Sequence, residues 1–316
     1  MSPDMNFKIV GIGEVLWDLL PTGRQLGGAP GNFAGHAHAL GASACVITRV
    51  GADEFGRDIR QRFEAQGIAD GTLQVDETAP TGTVTVTLSE RGNPNYTIHE
   101  NVAWDRLAVT PAALKAVREA NAICFGSLAQ RGDISRASIQ RLVAAAPANS
   151  LRVFDINLRQ KYFSREVIEQ SLRLANVLKL NDSELPFLAT MFDLTGSTEK
   201  QIERLAQKFS LQVVALTRGA DGSLLFQNGR WSDCPSLPVK IVDTIGAGDS
   251  FTAALVMGLL LEKDLDEINR LANEVASFVC SRAGATPPLP QSICERFVRR
   301  PSTPVLADSL VAALRV

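Results

Sequence analysis

Short apolar runs alternate with longer amphipathic stretches along most of the 316 residues, and this alternation narrows the fold more than any other feature. The runs Lys8–Gly13, Ala44–Val50, Ala122–Ser127, Arg152–Ile156, Val177–Leu180 and Gln212–Thr217 are nearly continuous in apolar side chains. Strands of a parallel sheet need that composition, because helices cover both of their faces. Between them, Asp53–Gln66, Pro111–Glu119, Ile134–Ala145, Arg165–Leu174 and Glu199–Lys208 repeat apolar residues near every 3.6 positions and predict helices. Thr110 before Pro111 supplies an N-cap followed by a first-turn proline. The pattern predicts an α/β chain with a doubly wound, mostly parallel sheet flanked by helices. The length suits about two domains, or one large α/β domain with an insertion.

Two segments break the alternation. Thr81–His99 alternates at period two around a turn at Arg91–Pro94, which predicts a β-hairpin. Trp17–Leu26 is a short extended piece that follows the first strand without a helix. Together they predict a small sheet above the carboxyl ends of the parallel strands, where ligands bind in this architecture. The proline-rich stretch Thr286–Pro290 predicts a loop before a last helix.

Composition removes several classes of function. Apolar residues make up 45% of the chain, enough for a large core, and the net charge is −2. A dedicated binder of nucleic acid or of anionic membranes would carry a basic surplus. No stretch reaches the roughly 20 apolar residues of a membrane helix. Ile9–Leu20 is interrupted by Glu14 and Asp18 and lacks the flanks of a signal peptide, so the cytoplasm is the expected location. The five cysteines are scattered and never form C-x-x-C, which suggests neither a disulfide framework nor a zinc cluster. With three histidines, a multi-histidine metal site is not expected; His36 and His38 lie two apart on a predicted helix and are read as structural.

The sharpest motif is Asp243-Thr244-Ile245-Gly246-Ala247-Gly248-Asp249, preceded by an apolar run read as a strand, Val239–Val242, and followed by a helix pattern, Phe251–Leu261. Glycines between strand and helix let backbone N–H groups approach an anion, and the helix N-terminus adds partial positive charge. Gly246, Ala247 and Gly248 then form an anion hole, with Asp249 beside it to accept a proton from an attacking hydroxyl. A tight turn with Asp249 as a helix cap is an equally open reading from these residues alone. A dinucleotide fingerprint lacks its third glycine, and no Walker A loop exists in the chain. The second motif, Gly27-Gly28-Ala29-Pro30-Gly31-Asn32, permits close approach to the backbone. Asn32 offers a donor and an acceptor to vicinal hydroxyls, and Asp18 a carboxylate upstream. A glycine-rich turn capped by Asn32 competes with that reading. Asp155-x-Asn157-x-Arg159, Asn181-x-x-Glu184 and Thr217–Gly222 are weaker signals that share one place, the carboxyl ends of predicted strands.

In combination these motifs resemble the ribokinase-like, or PfkB, carbohydrate kinase family, over essentially the whole chain. Both signatures are present in order: G-G-x-x-x-N at Gly27–Asn32 and D-T-x-G-A-G-D at Asp243–Asp249. The stretch Gly13–Pro21 with Leu26–Asn32 is most similar to bacterial fructokinases. The resemblance implies a single kinase domain over residues 1–316 with a β-sheet lid from about 14–27 and 83–103. The lid is also the expected surface for a homodimer. The implied activity is transfer of the ATP γ-phosphoryl group to a sugar hydroxyl. The implied catalytic set is Asp249 as base, the amides of Gly246, Ala247 and Gly248, and Arg159. Asp18, Gly28, Asn32, Asn157, Arg159 and Asp249 are implied to hold the sugar. Asn181, Thr217, Gly219, Gly222, Gly246, Gly248 and Asn273 are implied to hold ATP, with Glu184 reaching Mg²⁺ through water. Carbonyls of Asp243, Ile245, Val279, Arg282 and Gly284 are the implied K⁺ site. D-fructose, phosphorylated at O6, is the expected acceptor. Ribose, a sugar acid such as 2-keto-3-deoxygluconate, or a nucleoside remain alternatives, as does a catalytically silent sugar-binding protein. Phe125–Gln130 carries no acidic group where ribokinases carry one, which disfavours ribose.

Overall fold

The computed structural model describes residues 7–21, 23–88 and 94–298. Its strands are β1 (Lys8–Ile12), β2 (Leu16–Leu20), β3 (Gly23–Gly27), β4 (Ser43–Gly51), β5 (Leu73–Asp76), β6 (Gly82–Leu88), β7 (Pro94–Ile98), β8 (Ala122–Phe125), β9 (Leu151–Asp155), β10 (Val177–Asn181), β11 (Val213–Thr217), β12 (Ser223–Gln227) and β13 (Arg230–Cys234). Its α-helices are α1 (Ala29–Ala39), α2 (Glu54–Ala65), α3 (Pro111–Arg118), α4 (Asp133–Ala144), α5 (Arg165–Leu174), α6 (Leu185–Met191), α7 (Thr198–Phe209), α8 (Ala247–Leu260), α9 (Leu265–Cys280) and α10 (Gln291–Cys294).

Nine strands form one sheet in the order β13-β12-β11-β10-β9-β8-β1-β4-β5. Pairing is parallel from β11 through to β5, and antiparallel only at β11–β12 and β12–β13. Side chains of a strand alternate between faces, and both faces are buried here. Val10, Phe154 and Leu178 enter a cluster with Val117, Ile139, Leu172 and Leu205. Their neighbours Ile9, Val153 and Val177 enter another with Phe33, Phe251 and Leu271. Helices α3, α4, α5 and α7 thus cover one face, and α1, α8 and α9 the other. The predicted strands and helices fall on these elements. Thr110 caps α3 through a bond from the Ala113 amide, as its position before Pro111 predicts.

The second sheet has four strands in the order β3-β2-β6-β7. It leaves the main sheet directly after β1, and its outer strands pair antiparallel, Asp18 with Gln25 and Thr85 with Thr97. β6 and β7 are the predicted hairpin; of its turn, residues 91–93 lie outside the described residues. Trp17 anchors the sheet, fully buried against Phe55 and flanked by the guanidinium groups of Arg24 and Arg62.

One local expectation is corrected. Val239–Val242 is not a strand: residues 235–246 lie outside both sheets, and Val239, Ile241 and Val242 are exposed. The amides of Val242 and Asp243 bond the carbonyl of Cys280 at the end of α9, so the segment is tied to a helix end rather than to a strand. The following helix also starts earlier than its apolar pattern, at Ala247. Among the described residues, no helix is long and apolar enough to cross a membrane.

Candidate active site

The two glycine motifs meet at the N-termini of α1 and α8, which pack side by side. α8 begins on Gly246, whose φ of 79° is left-handed, and no side chain caps its first turn. A Cβ at Gly246 would stand 2.2 Å from the Ala285 carbonyl oxygen, so only glycine fits this turn. Of the amides opening α8, that of Ala247 makes a long bond, 3.3 Å, to the Thr244 carbonyl, and an uncapped first turn of this kind can receive an anion. α1 begins on Gly28, also without a side-chain cap, and a Cβ there would stand 2.5 Å from the Glu14 carbonyl oxygen.

Asp249 sits in the first turn of α8 and Asn32 in the first turn of α1. Asn32 Nδ2 donates to Asp249 Oδ2 at 2.8 Å. Burial pushes the Asp249 carboxyl up to about 6, and the charge of Asp155 adds to this. The bond from Asn32 and the charges of Lys179 and Arg159 act in the opposite direction. A carboxylate of this kind is ionised near neutral pH yet close enough to it to take a proton.

Asp18, on β2, lies over Gly27: a Cβ there would come within 2.4 Å of Asp18 Oδ2. Burial raises the Asp18 carboxyl to about 6, against the pull of Arg159. Arg159 follows β9, and among the described residues its guanidinium makes long bonds, 3.4 Å to the Leu158 carbonyl and 3.3 Å to Asn157 Oδ1. Asn157 holds a left-handed φ of 43°, and its buried Nδ2 has no partner among the described residues. Asp18, Arg159 and Asn157 thus join the motifs on the carboxyl edge of the sheet.

Glu184 acts as a strap. Its Oε1 accepts the Leu158 amide at 2.9 Å and its Oε2 the Asn181 amide at 2.8 Å, locking the loops after β9 and β10 together. Asn181 Oδ1 accepts the amides of Ser183 and Glu184, which turns the chain into α6. Further along the same edge, Thr217 closes β11, and Gly219 and Gly222 hold positive φ in the loop to β12. Asn273 is buried on α9, donating to Ser223 Oγ and the Asn269 carbonyl, so its amide stiffens the loop's root.

Around the late motif, Asp243 organises the backbone. Its Oδ1 accepts the Ile245 amide at 3.0 Å and its Oδ2 the Gly284 amide at 3.1 Å. The Val279 carbonyl accepts the Arg282 amide, and Gly284 has a φ of 85°. His36 is fully buried and bonds the Ala285 carbonyl at 2.9 Å, the same oxygen that crowds Gly246. Burial lowers its imidazole to about 4, so neutral His36 donates there. It is structural, as predicted, but it supports the anion-hole turn.

Three residues that the sequence did not single out as functional also converge here. Lys179 on β10 is 3% exposed and its Nζ lies 3.1 Å from Asp155 Oδ1. A Cβ on Gly248 would come within 3.0 Å of Lys179 Nζ, which places an ammonium group directly beneath the anion hole. Burial opposes its charge, but Asp155, Glu184 and Asp249 hold its pKa above the usual value. Thr252 Oγ1 donates to Asp155 Oδ2 at 2.8 Å and fixes the pair to α8. A lysine inside the strand pattern was the available signal. The third residue, Glu14, stands in the turn after β1. Burial pushes its carboxyl up to about 7, Asp249 adds to this, and Arg159 counters it.

A profile of the pfkB family carbohydrate kinases matches residues 21–292 of this arrangement. The chain belongs to that family. As a PfkB kinase it is similar to the fructokinase of Klebsiella pneumoniae, with 32% identity over 283 residues, covering 86% of this chain and 91% of the relative. A sugar kinase of Pyrococcus horikoshii, solved in complex with ATP, superposes with a TM-score of 0.76 at 27% identity, covering 92% of this chain and all of the other. The fructokinase of Vibrio cholerae, solved with fructose, ADP and calcium, superposes with a TM-score of 0.77 at 25% identity, covering 93% and 99%. The PfkB assignment makes the molecule an ATP-dependent carbohydrate kinase with a ribokinase-like fold.

Proposed function

We propose that this kinase transfers the γ-phosphoryl group of ATP to O6 of D-fructose. The observation that carries the reading is the Asn32–Asp249 hydrogen bond, which joins a hydroxyl-binding amide to a carboxylate at the mouth of an uncapped helix. Asp249 accepts the proton of the primary hydroxyl. The amides of Gly246, Ala247 and Gly248 neutralise charge on the moving phosphoryl group, with Arg159 opposite and Lys179 beneath. The transition state of phosphoryl transfer is loose, so positioning and electrostatics do most of this. Asp18, Gly28, Asn32 and Asn157 hold the sugar, and the unpartnered Asn157 Nδ2 is a donor ready for an oxygen. The small sheet is read as a lid that excludes competing water.

ATP would lie along the Asn181, Thr217, Gly219–Gly222 and Gly246–Gly248 edge. Its Mg²⁺ neutralises phosphate charge when bound, and such an ion keeps most of its waters. Glu184 fits a role through water, because both its oxygens already accept amides and only their second lone pairs remain. A K⁺ ion in the Asp243, Ile245, Val279, Arg282 and Gly284 turn belongs to the same proposal. Fructose is preferred on the fructokinase relatives of this chain. ADP release measured across fructose, ribose, glucose, 2-keto-3-deoxygluconate and adenosine tests it. Fructose is expected to give the highest kcat/KM; a preference for adenosine or ribose would overturn the choice of acceptor.

A further inference from the structure

Glu14 is 4% exposed, and its Oε2 is buried without a hydrogen-bond partner among the described residues. A desolvated carboxyl oxygen left unpaired is unfavourable for the folded chain, and a native structure retains such a group where a ligand completes it. Its surroundings show where that ligand lies. The Glu14 backbone is pressed against Gly28 at the start of α1. The preceding Gly13, with a φ of 143°, leaves no more than 3.2 Å between a Cβ and that of Ala129, in the segment after β8. The carboxyl faces its own amide and that of Ala29, which opens α1, and the charges that act on it are those of Arg159 and Asp249. Glu14 therefore occupies the floor between the Asp18–Gly28 end of the cleft and the base. The Phe125–Gln130 segment has no acid of its own, and Glu14 follows the glycine that approaches it at Ala129.

We propose that Glu14 is an acceptor-binding, specificity-determining residue whose carboxyl hydrogen-bonds a hydroxyl of the acceptor other than the one attacked. This rests on the reading that the Asp18–Gly28–Asn32 side of the cleft takes the acceptor. It also narrows the acceptor to a neutral polyhydroxylated compound. A hydroxyl both donates and accepts, so it suits a carboxyl in either protonation state. An acceptor carboxylate or phosphate would instead meet three acids, Glu14, Asp18 and Asp249. Among the described residues, the cation acting on all three is Arg159, while Lys179, paired with Asp155, acts on Asp249.

The test compares wild type with Glu14→Gln and Glu14→Ala. The measurements are steady-state kinetics for both substrates, calorimetric affinity for the best acceptor without ATP, and thermal unfolding. Glu14→Ala is expected to weaken acceptor Kd and raise acceptor KM by about ten- to a hundredfold, the loss of a hydrogen bond to a charged group. Glu14→Gln, which keeps the shape, is expected to lose at least about threefold. KM for ATP stays within about twofold and Tm is unchanged or higher, since an unpartnered buried acid has been removed. In both variants the preference for fructose over 2-keto-3-deoxygluconate narrows. Acceptor affinity within about twofold of wild type in Glu14→Ala, or a fall in Tm with unchanged affinity, would overturn the inference and make Glu14 a structural group. A wild type that prefers a sugar acid overturns the neutral class. If wild type merely favours a neutral sugar other than fructose, the fructose reading fails alone, and Glu14 is judged on affinity for that sugar.

Discussion

Asn32 Nδ2 and Asp249 Oδ2 lie 2.8 Å apart although 217 residues separate them in the chain. The bond ties the first turn of α1 to that of α8 and so, in the proposed function, ties hydroxyl recognition to proton removal. An amide that donates to the base also fixes which oxygen of the carboxylate remains open to the substrate.

Asp249→Asn is expected to cut kcat by about 10²–10⁴-fold, the usual contribution of general-base catalysis. Asparagine keeps an oxygen for Asn32 but takes no proton, so calorimetric affinity for the sugar stays within a few-fold. A variant retaining more than about a tenth of wild-type turnover would remove Asp249 from the role.

The pH profile follows from the same carboxyl. Asp249 must be ionised to act, and burial with the Asp155 charge places its pKa at about 6. The kcat is therefore expected to fall as pH drops through about 6. Asn32→Ala removes a bond that lowers this pKa, while Lys179 and Arg159 continue to lower it and Glu14 remains an acid nearby. The acid limb of kcat moves to higher pH in that variant. An unmoved limb would mean that a different group controls the profile.

Lys179→Met leaves Asp155 as an uncompensated buried charge. Breaking such a pair costs roughly 3–5 kcal/mol, read as a lower urea midpoint at constant slope. Replacing Asp155 as well, with Leu, returns part of the loss, because the orphaned charge is gone. A single variant as stable as wild type would show that the ion pair contributes nothing net.

Gly246→Ala forces a left-handed φ on a residue with a Cβ and drives that Cβ into the Ala285 carbonyl. The turn shifts, and the α8 amides lose their aim. Removing a single such donor elsewhere costs about 10²–10³ in kcat, and a decrease of that order is expected, with sugar affinity retained. Wild-type turnover in this variant would separate the glycine turn from phosphoryl transfer.

Turnover measured at fixed ionic strength in K⁺, Na⁺ and tetramethylammonium checks the cation turn. The highest kcat is expected in K⁺, with sugar affinity unaltered, because the ion would set the shape of the turn held by Asp243. Equal rates in all three would refute a functional ion there.

Much of the fold is legible because its strands are buried on both faces. Val177–Leu180 reads as a strand from its apolar run, and Arg165–Leu174 as a helix from its period. The hairpin β12–β13 is not, since Arg230–Cys234 is a half-exposed edge with no clean alternation. Val239–Val242 reads as a strand because three of its four residues are apolar, yet the segment lies outside both sheets. In the site, Gly246 and Gly28 are visible because their backbone angles leave no alternative residue. Lys179, Thr252 and Glu14 are not, because their significance lies in which strand end faces them, and spacing along the chain does not encode that.

α1 and α8 share one core cluster, with Phe33 and Ala37 beside Phe251 and Ala254. Their two uncapped ends are consequently mounted on a single block, while the four-stranded sheet is a separate layer joined to it by several chain connections and by Trp17 packed on Phe55. A substitution on that sheet leaves the spacing of the two helix ends unaltered. On the proposed reading, the groups that move phosphate and those that greet the sugar are therefore separable under mutation. Drift in β2, β3, β6 or β7 can retune acceptor choice over a constant catalytic chassis.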